Sequence, residues 1–250
     1  MFFPSPQIFF KVGPLEFHYY GLMYFLSFLF SYYFLPIILN LRGIKIKKNI
    51  YENLFFYTFL GAIIGGRLFY IVFYNLSFYL ENPIKTLFIW EGGLASHGGF
   101  LGASFVLFFL SKYYKIPFWK LTDSTVIPIG ICLMLGRLGN FINGELYGRP
   151  TNVPWCMYFT DSLECRHPSQ VYAMIKNLFL FLIFFSLRKT KFKDGTLSIL
   201  FLFLYGIFRF IVEFFREPDP QLGLIFLNLT EGQIWSLVMI FISFFFFKKL

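Results

Sequence analysis

The chain has 250 residues, 57% hydrophobic, 24% aromatic and 14% charged, with a formal net charge of +9. Soluble domains carry about 25% charged residues, so the composition excludes an ordinary soluble globular domain and points to a polytopic membrane protein. The Lys and Arg residues fall in short loops between apolar runs, with no basic patch interleaved with base-reading side chains. Nucleic acid is therefore not an expected partner, and membrane lipid is.

Residues 1–14 lack the basic start and small-residue cleavage site of a signal peptide. About 20 apolar residues cross a bilayer as a helix. Seven runs meet or approach that length: 20–41, 54–74, 97–113, 124–143, 169–187, 196–214 and 232–247. The expected fold class is all-α, a bundle of seven transmembrane helices in one domain over 1–250, with a small head at about 144–168. Basic residues cluster in alternate loops: Arg42, Lys45, Lys47 and Lys48; Lys112, Lys115 and Lys120; Arg188, Lys189, Lys191 and Lys193; and the tail, Lys248 and Lys249. The intervening loops are acidic or mixed, with Glu81, Lys85 and Glu91, then Glu145, Arg149, Asp161, Glu164 and Arg166, then Arg216, Glu217 and Asp219. Basic loops stay cytoplasmic, which places the amino terminus outside and the carboxyl terminus inside.

In that orientation the unusual polar residues converge on the outer leaflet. Tyr20 opens the first span. Arg67 lies in the outer half of the second, beside Gly65-Gly66, where it either reaches the interface by snorkelling or serves function. His97 opens the third span after a glycine-rich approach, Gly92-Gly93-Leu94-Ala95-Ser96. Gly61 with Gly65, and Gly98 with Gly102, have the spacing of small residues that pack helices. The fourth span ends in Gly136-Arg137-Leu138-Gly139-Asn140-Phe141-Ile142-Asn143-Gly144-Glu145, continuing to Gly148. Charge at membrane depth is costly and marks function by default, so this block dominates the chain. Arg137 and Asn140 share a helix face. His167-Pro168-Ser169-Gln170 opens the fifth span, with His167 read as a cap. Arg209 and Glu213, four apart near the end of the sixth, are spaced to pair.

Of three cysteines, Cys132 sits inside a span as a small apolar residue, whereas Cys156 and Cys165 share one outward segment in which a bridge is permitted. No Cys/His spacing suggests a metal, and no cofactor is indicated.

These blocks resemble the bacterial prolipoprotein diacylglyceryl transferase family. The match runs through the whole chain in order: His18-Tyr19-Tyr20-Gly21-Leu22-Met23-Tyr24, Gly65-Gly66-Arg67, His97-Gly98-Gly99, the long block from Gly136 to Gly148, His167-Pro168-Ser169-Gln170, Arg209-Phe210-Ile211-Val212-Glu213 and Arg216-Glu217-Pro218-Asp219. The resemblance implies a multi-pass enzyme of the bacterial inner membrane, with its active site toward the periplasm. It implies transfer of the diacylglyceryl group of phosphatidylglycerol to the lipobox cysteine of a prolipoprotein, with a thioether formed and glycerol phosphate released. Tyr20, His97, Arg137, Asn140, Glu145, Gly148, Arg209 and Glu213 match positions the family implies to be important.

That chemistry sets two tasks. The thiol must become a thiolate, for which His97 is the natural base and Glu145 and Glu213 are rivals. The leaving phosphate needs preorganised cations, for which Arg137 and Arg209 are the candidates. Asn140, Tyr20 and Arg67 are expected to contact the head group, and Gly148 to let backbone approach it. The rival class is a lipid transporter, which commonly carries inverted repeats and a midplane site. No repeat is visible here.

Overall fold

The computed structural model describes residues 2–3, 8–12, 15–89, 92–218, 223, 225 and 228–248. Glu91, Asp219 and Lys249, used above in reading the loops, lie outside the described residues. Among those described, the protein is all-α apart from short strands. Its helices are α1 (Tyr19–Leu41), α2 (Lys48–Tyr74), α3 (Leu76–Glu81), α4 (Ser96–Tyr113), α5 (Phe118–Ile142), α6 (Ser169–Ser186), α7 (Thr196–Glu213) and α8 (Glu231–Phe247). Five of them, α1, α2, α5, α6 and α7, are long and apolar enough to cross a membrane. The other two expected spans are helical but weaker. The apolar run of α4 is diluted by Ser96-His97-Gly98-Gly99 at one end and Lys112 at the other, and α8 has 17 residues. The protein is thus a polytopic helical membrane protein.

The chain forms two compact units, one of residues 43–122 and one of 1–42 with 123–250. In the 43–122 unit, α2 packs on α4 through glycines. A Cβ on Gly65 would come within 2.7 Å of the Gly102 Cα, and one on Gly61 within 2.9 Å of the Gly102 carbonyl oxygen. Only backbone fits between these helices, as the glycine spacing led us to expect.

In the larger unit, a hairpin of Ile8–Val12 with Leu15–His18 leads into α1. Ile38, Ile127, Leu180, Phe184 and Leu197 are fully buried between the helices. At one end, the buried carboxylate of Asp123 accepts from the Gly195 and Ser198 amides at 2.9 and 2.8 Å. It thereby caps α7 from outside, since the first amides of a helix have no partner within it. Arg42 pairs with the same carboxylate at 3.3 Å.

At the other end, residues 143–168 join α5 to α6. A disulfide joins Cys156 to Cys165, whose Cα atoms are 5.5 Å apart. The segment is stitched by backbone pairs, among them Met157 with Arg166 in both directions at 2.9 Å and Thr151 N to Cys165 O at 2.9 Å. His167 does not cap α6, as its place before the span suggested. Pro168 holds the N-cap position, and the His167 ring instead bonds the Tyr172 hydroxyl through Nδ1 at 3.1 Å. Burial lowers the pKa of His167 below the ordinary histidine value.

Candidate active site

Seven of the nine candidate residues lie in the larger unit, where helix ends meet. The last turns of α5 and α7 face the first turns of α1, α6 and α8. Tyr20 packs on Gly139, where a Cβ would meet the Tyr20 ring and Cα at 3.1 and 3.2 Å. Gly148 pairs antiparallel with Arg216, which ties the segment after α5 to the segment after α7.

Asn140 is buried, and its Nδ2 donates to Glu145 Oε1 at 2.9 Å. Its Oδ1 faces Arg137 Nη1 at 3.4 Å. The Glu145 carbonyl in turn accepts from Gln170 Nε2 at 2.8 Å. The turn after α5 thus holds Asn140 and Glu145 together, while Glu145 remains exposed at the rim. The Tyr20 hydroxyl bonds that of Tyr24 at 2.7 Å and lies within electrostatic range of Glu145 and Arg137. The structure therefore gathers Tyr20, Arg137, Asn140 and Glu145.

A second cluster adjoins it. Glu213 is 2% exposed and forms ion pairs with two arginines, Arg209 Nη2 with Oε2 at 2.7 Å and Arg216 Nη1, which also donates a hydrogen bond, with Oε1 at 3.4 Å. The pairing of Arg209 with Glu213 is the one their spacing predicts. The carboxylate also sits on the first turn of α8: a Cβ on Gly232 would come within 2.7 Å of the Glu213 carboxyl carbon. A helix N-terminus favours an anion and a C-terminus favours cations. Glu213, against the first turn of α8, obeys the first preference, whereas Arg137 and Arg209 lie just inside the last turns of α5 and α7.

Charge is unevenly distributed there. Arg137 lies within electrostatic range of Arg209 and Arg216, and Lys176 of Arg137, Arg209 and Glu213. Four cations thus surround one buried carboxylate that two of them already engage. Surplus positive charge in a low-dielectric site favours an anion, and guanidinium groups match phosphate oxygens with paired donors.

Gly148 and Arg67 have their polar groups occupied by the protein. The Gly148 amide donates to His167 O at 2.8 Å, and a Cβ there would come within 2.7 Å of both the His167 Cβ and carbonyl oxygen. Its missing side chain lets His167 in. In the 43–122 unit, Arg67 is 5% exposed. Its guanidinium donates to five carbonyls: Lys85, Thr86, Phe88, Gly92 and Gly93, at 2.6 to 3.2 Å. It also lies over the Tyr79 ring at 5.0 Å. This clamp holds the loop that leads into α4. Gly92 and Gly93 have φ of +88° and +76°, which glycine alone adopts freely. His97, in the first turn of α4, is half-buried with its ring 6.2 Å from that of Phe69.

Sequence reading missed Lys176 and did not single out Arg216. Lys176 had a signal, as the one charged residue of α6. Arg216 lies past the last helical turn of α7 and reads as an ordinary loop charge until the fold brings it to Glu213.

A polytopic helical membrane protein that buries arginines, a lysine and a glutamate where helix ends meet belongs to the class whose intramembrane charges mark a functional site. The family comparisons narrow the class. The model of the prolipoprotein diacylglyceryl transferase family matches residues 7–248. The chain is 44% identical over 234 residues to the phosphatidylglycerol–prolipoprotein diacylglyceryl transferase of Geobacter sulfurreducens, covering 93% of this chain and 90% of that one. It is 42% identical to those of Pasteurella multocida and of Wolbachia pipientis from Culex pipiens, covering 97% and 96% of this chain and 92% of each relative. The chain belongs to the prolipoprotein diacylglyceryl transferase family.

Proposed function

We propose that the cationic pocket of the larger unit is where this family member carries out its reaction, the transfer of a diacylglyceryl group from phosphatidylglycerol to prolipoproteins. The observation that carries the assignment is the surplus of cations, Arg137, Lys176, Arg209 and Arg216 around Glu213. An anionic lipid phosphate supplies the charge that the protein lacks.

In this reading, the sulfur of the lipobox cysteine attacks the terminal glyceryl carbon of the diacylglyceryl group. A carbon–sulfur bond forms, the carbon–oxygen bond to phosphate breaks, and its electron pair leaves with glycerol phosphate. Arg137 and Arg209 hold the phosphate oxygens. Glu213 fixes the Arg209 guanidinium and is itself held by Arg216 and the start of α8, which suits a positioning role better than proton transfer. Asn140 and Tyr20 orient the head group. His97 takes the thiol proton, with Glu145, exposed at the rim, as the alternative base. Gly148 acts on the site through the segment it ties to His167 and Arg216, and Arg67 holds the loop before α4, since their donors are occupied. Both units serve one transferase domain.

Seven spans, with α4 and α8 crossing the membrane in addition to the five long helices, put the amino terminus in the periplasm and the basic loops in the cytoplasm of a bacterial inner membrane. The pocket then opens toward the outer leaflet, where the lipid head group and the prolipoprotein's lipobox cysteine meet.

The test is a mass-spectrometric assay of purified protein in detergent, with phosphatidylglycerol and a synthetic lipobox peptide. Diacylglyceryl-peptide that forms with the wild type and is lost with Arg137→Ala supports the pocket assignment. Undiminished product from Arg137→Ala contradicts it.

A further inference from the structure

Lys176 stands two helical turns inside α6, at the centre of its buried face with Gln170, Ala173, Asn177 and Leu180. It is 9% exposed. Its Nζ lies 4.0 Å from the centre of the Tyr205 ring and has no hydrogen bond or ion pair among the described residues. A ring face compensates an ammonium only in part, and a buried charge without an anion is costly. The groups around it deepen the imbalance, since Arg137 and Arg209 repel it and Glu213, the carboxylate within electrostatic range of it among the described residues, is shared by Arg209 and Arg216. Two further polar atoms on the same helix face lack partners among the described residues, Gln170 Oε1 and Asn177 Oδ1. The face therefore offers one unpaired cation and two unpaired acceptors, in a stretch where a packed helix would carry apolar side chains.

We propose that Lys176 is a further cation of the phosphate pocket, carrying the second negative charge that appears on glycerol phosphate as it departs. This rests on the reading of the pocket given above. The phosphodiester of phosphatidylglycerol bears one negative charge. When the carbon–oxygen bond breaks, the electron pair stays on the phosphate, and the monoester product carries a charge of about −1.5 to −2 at neutral pH. The thiol proton goes to the base, and the sulfur takes the diacylglyceryl carbon. The charge that grows during the reaction thus grows on the phosphate, and a cation placed for it acts on the transition state more than on bound substrate. The glycerol hydroxyls of the same leaving group are donors, which Gln170 Oε1 and Asn177 Oδ1 lack.

The experiment uses the full-length protein in detergent with phosphatidylglycerol and lipobox peptide, comparing the wild type with Lys176→Met, Lys176→Arg and Arg137→Gln. Removing an unpaired buried charge relieves a cost, so Lys176→Met is expected to melt no lower than the wild type. Its kcat is expected to fall about tenfold or more, with KM for phosphatidylglycerol within about threefold, and Lys176→Arg to recover most of the rate. Product inhibition by added glycerol phosphate weakens in the same variant by a similar factor. A kcat within about twofold of wild type for Lys176→Met, or a loss seen in KM alone, overturns the role of Lys176. If Arg137→Gln is inactive in that case, the pocket assignment stands without Lys176. If both variants turn over normally, the pocket assignment falls with it. Should Lys176→Met fail to accumulate, Lys176→Gln is judged by the same thresholds.

Discussion

Arg67 and Arg137 look alike in sequence, each an arginine beside glycine within a long apolar helix. In the structure they differ completely. The Arg67 guanidinium is saturated by five backbone carbonyls of one loop and covered by Tyr79. Arg137 makes one long contact with Asn140, and Arg209, Arg216 and the hydroxyls of Tyr205 and Tyr24 lie within electrostatic range of it. Counting the partners of each donor, rather than locating charge at membrane depth, separates an arginine whose donors are taken up within the protein from one whose donors are not. A buried charge is functional by default only after its internal partners have been counted.

The sharpest way to break this comparison is to neutralise both residues. Arg137→Ala is expected to lower kcat/KM by about 10²- to 10³-fold, as for loss of one preorganised donor to a developing anion, with little change in melting temperature. Arg67→Met is expected to act oppositely. It leaves part-buried carbonyls without their donor and so lowers stability by about 1–3 kcal/mol, read as a lower melting temperature, while correctly folded molecules keep most of their activity. If Arg67→Met folded normally but lost phosphatidylglycerol binding, the two arginines would belong to one class after all.

Smaller effects sharpen the picture. Gly65→Leu forces side-chain atoms into the backbone of α4 and is expected to cost about 1–3 kcal/mol, read by thermal unfolding. Arg209→Lys keeps the charge but loses the fork that spans Glu213 and a phosphate. A fall in kcat of roughly tenfold is expected, and an unchanged rate would remove the paired-donor role. The smallest effect concerns His167, whose pKa is lowered by burial in the folded protein. Above the unfolded-state value of about 6.5 both states are neutral and the residue has no effect on stability. As pH falls below that value the unfolded chain binds a proton that the folded one refuses, so stability declines. Melting temperatures between pH 7 and pH 5 should therefore fall more steeply for the wild type than for His167→Gln.

Much of the fold was legible because an apolar run of helical length has few alternatives. All seven expected runs are helical, and their ends fall within a few residues of the expected positions, except where α2 and α5 begin six residues early. The pairs close in sequence were legible too: Arg209 with Glu213 from their spacing, Arg137 with Asn140 from their shared face. Contacts between distant segments were not. Nothing around Arg67 announces the carbonyls of residues 85–93, nothing in the loop after α7 shows that Arg216 returns to Glu213, and nothing before α6 reveals that His167 turns to Tyr172 while Pro168 caps the helix. The bridge between Cys156 and Cys165 was permitted by their common segment, and the fold brings the two together. Lys176 was lost for another reason. A single lysine hardly changes the apolar average of a span, and only burial without an anion gives it meaning.

One measurement separates a phosphate pocket from a structural charge cluster most directly: equilibrium binding of phosphatidylglycerol and formation of diacylglyceryl-peptide, by wild type, Arg137→Ala and Arg67→Met at matched folded concentration. The surplus of cations around Glu213 predicts that Arg137→Ala loses product while remaining folded, and that folded Arg67→Met still makes it. Product formed at the wild-type rate by Arg137→Ala would contradict the assignment of the pocket to the lipid phosphate.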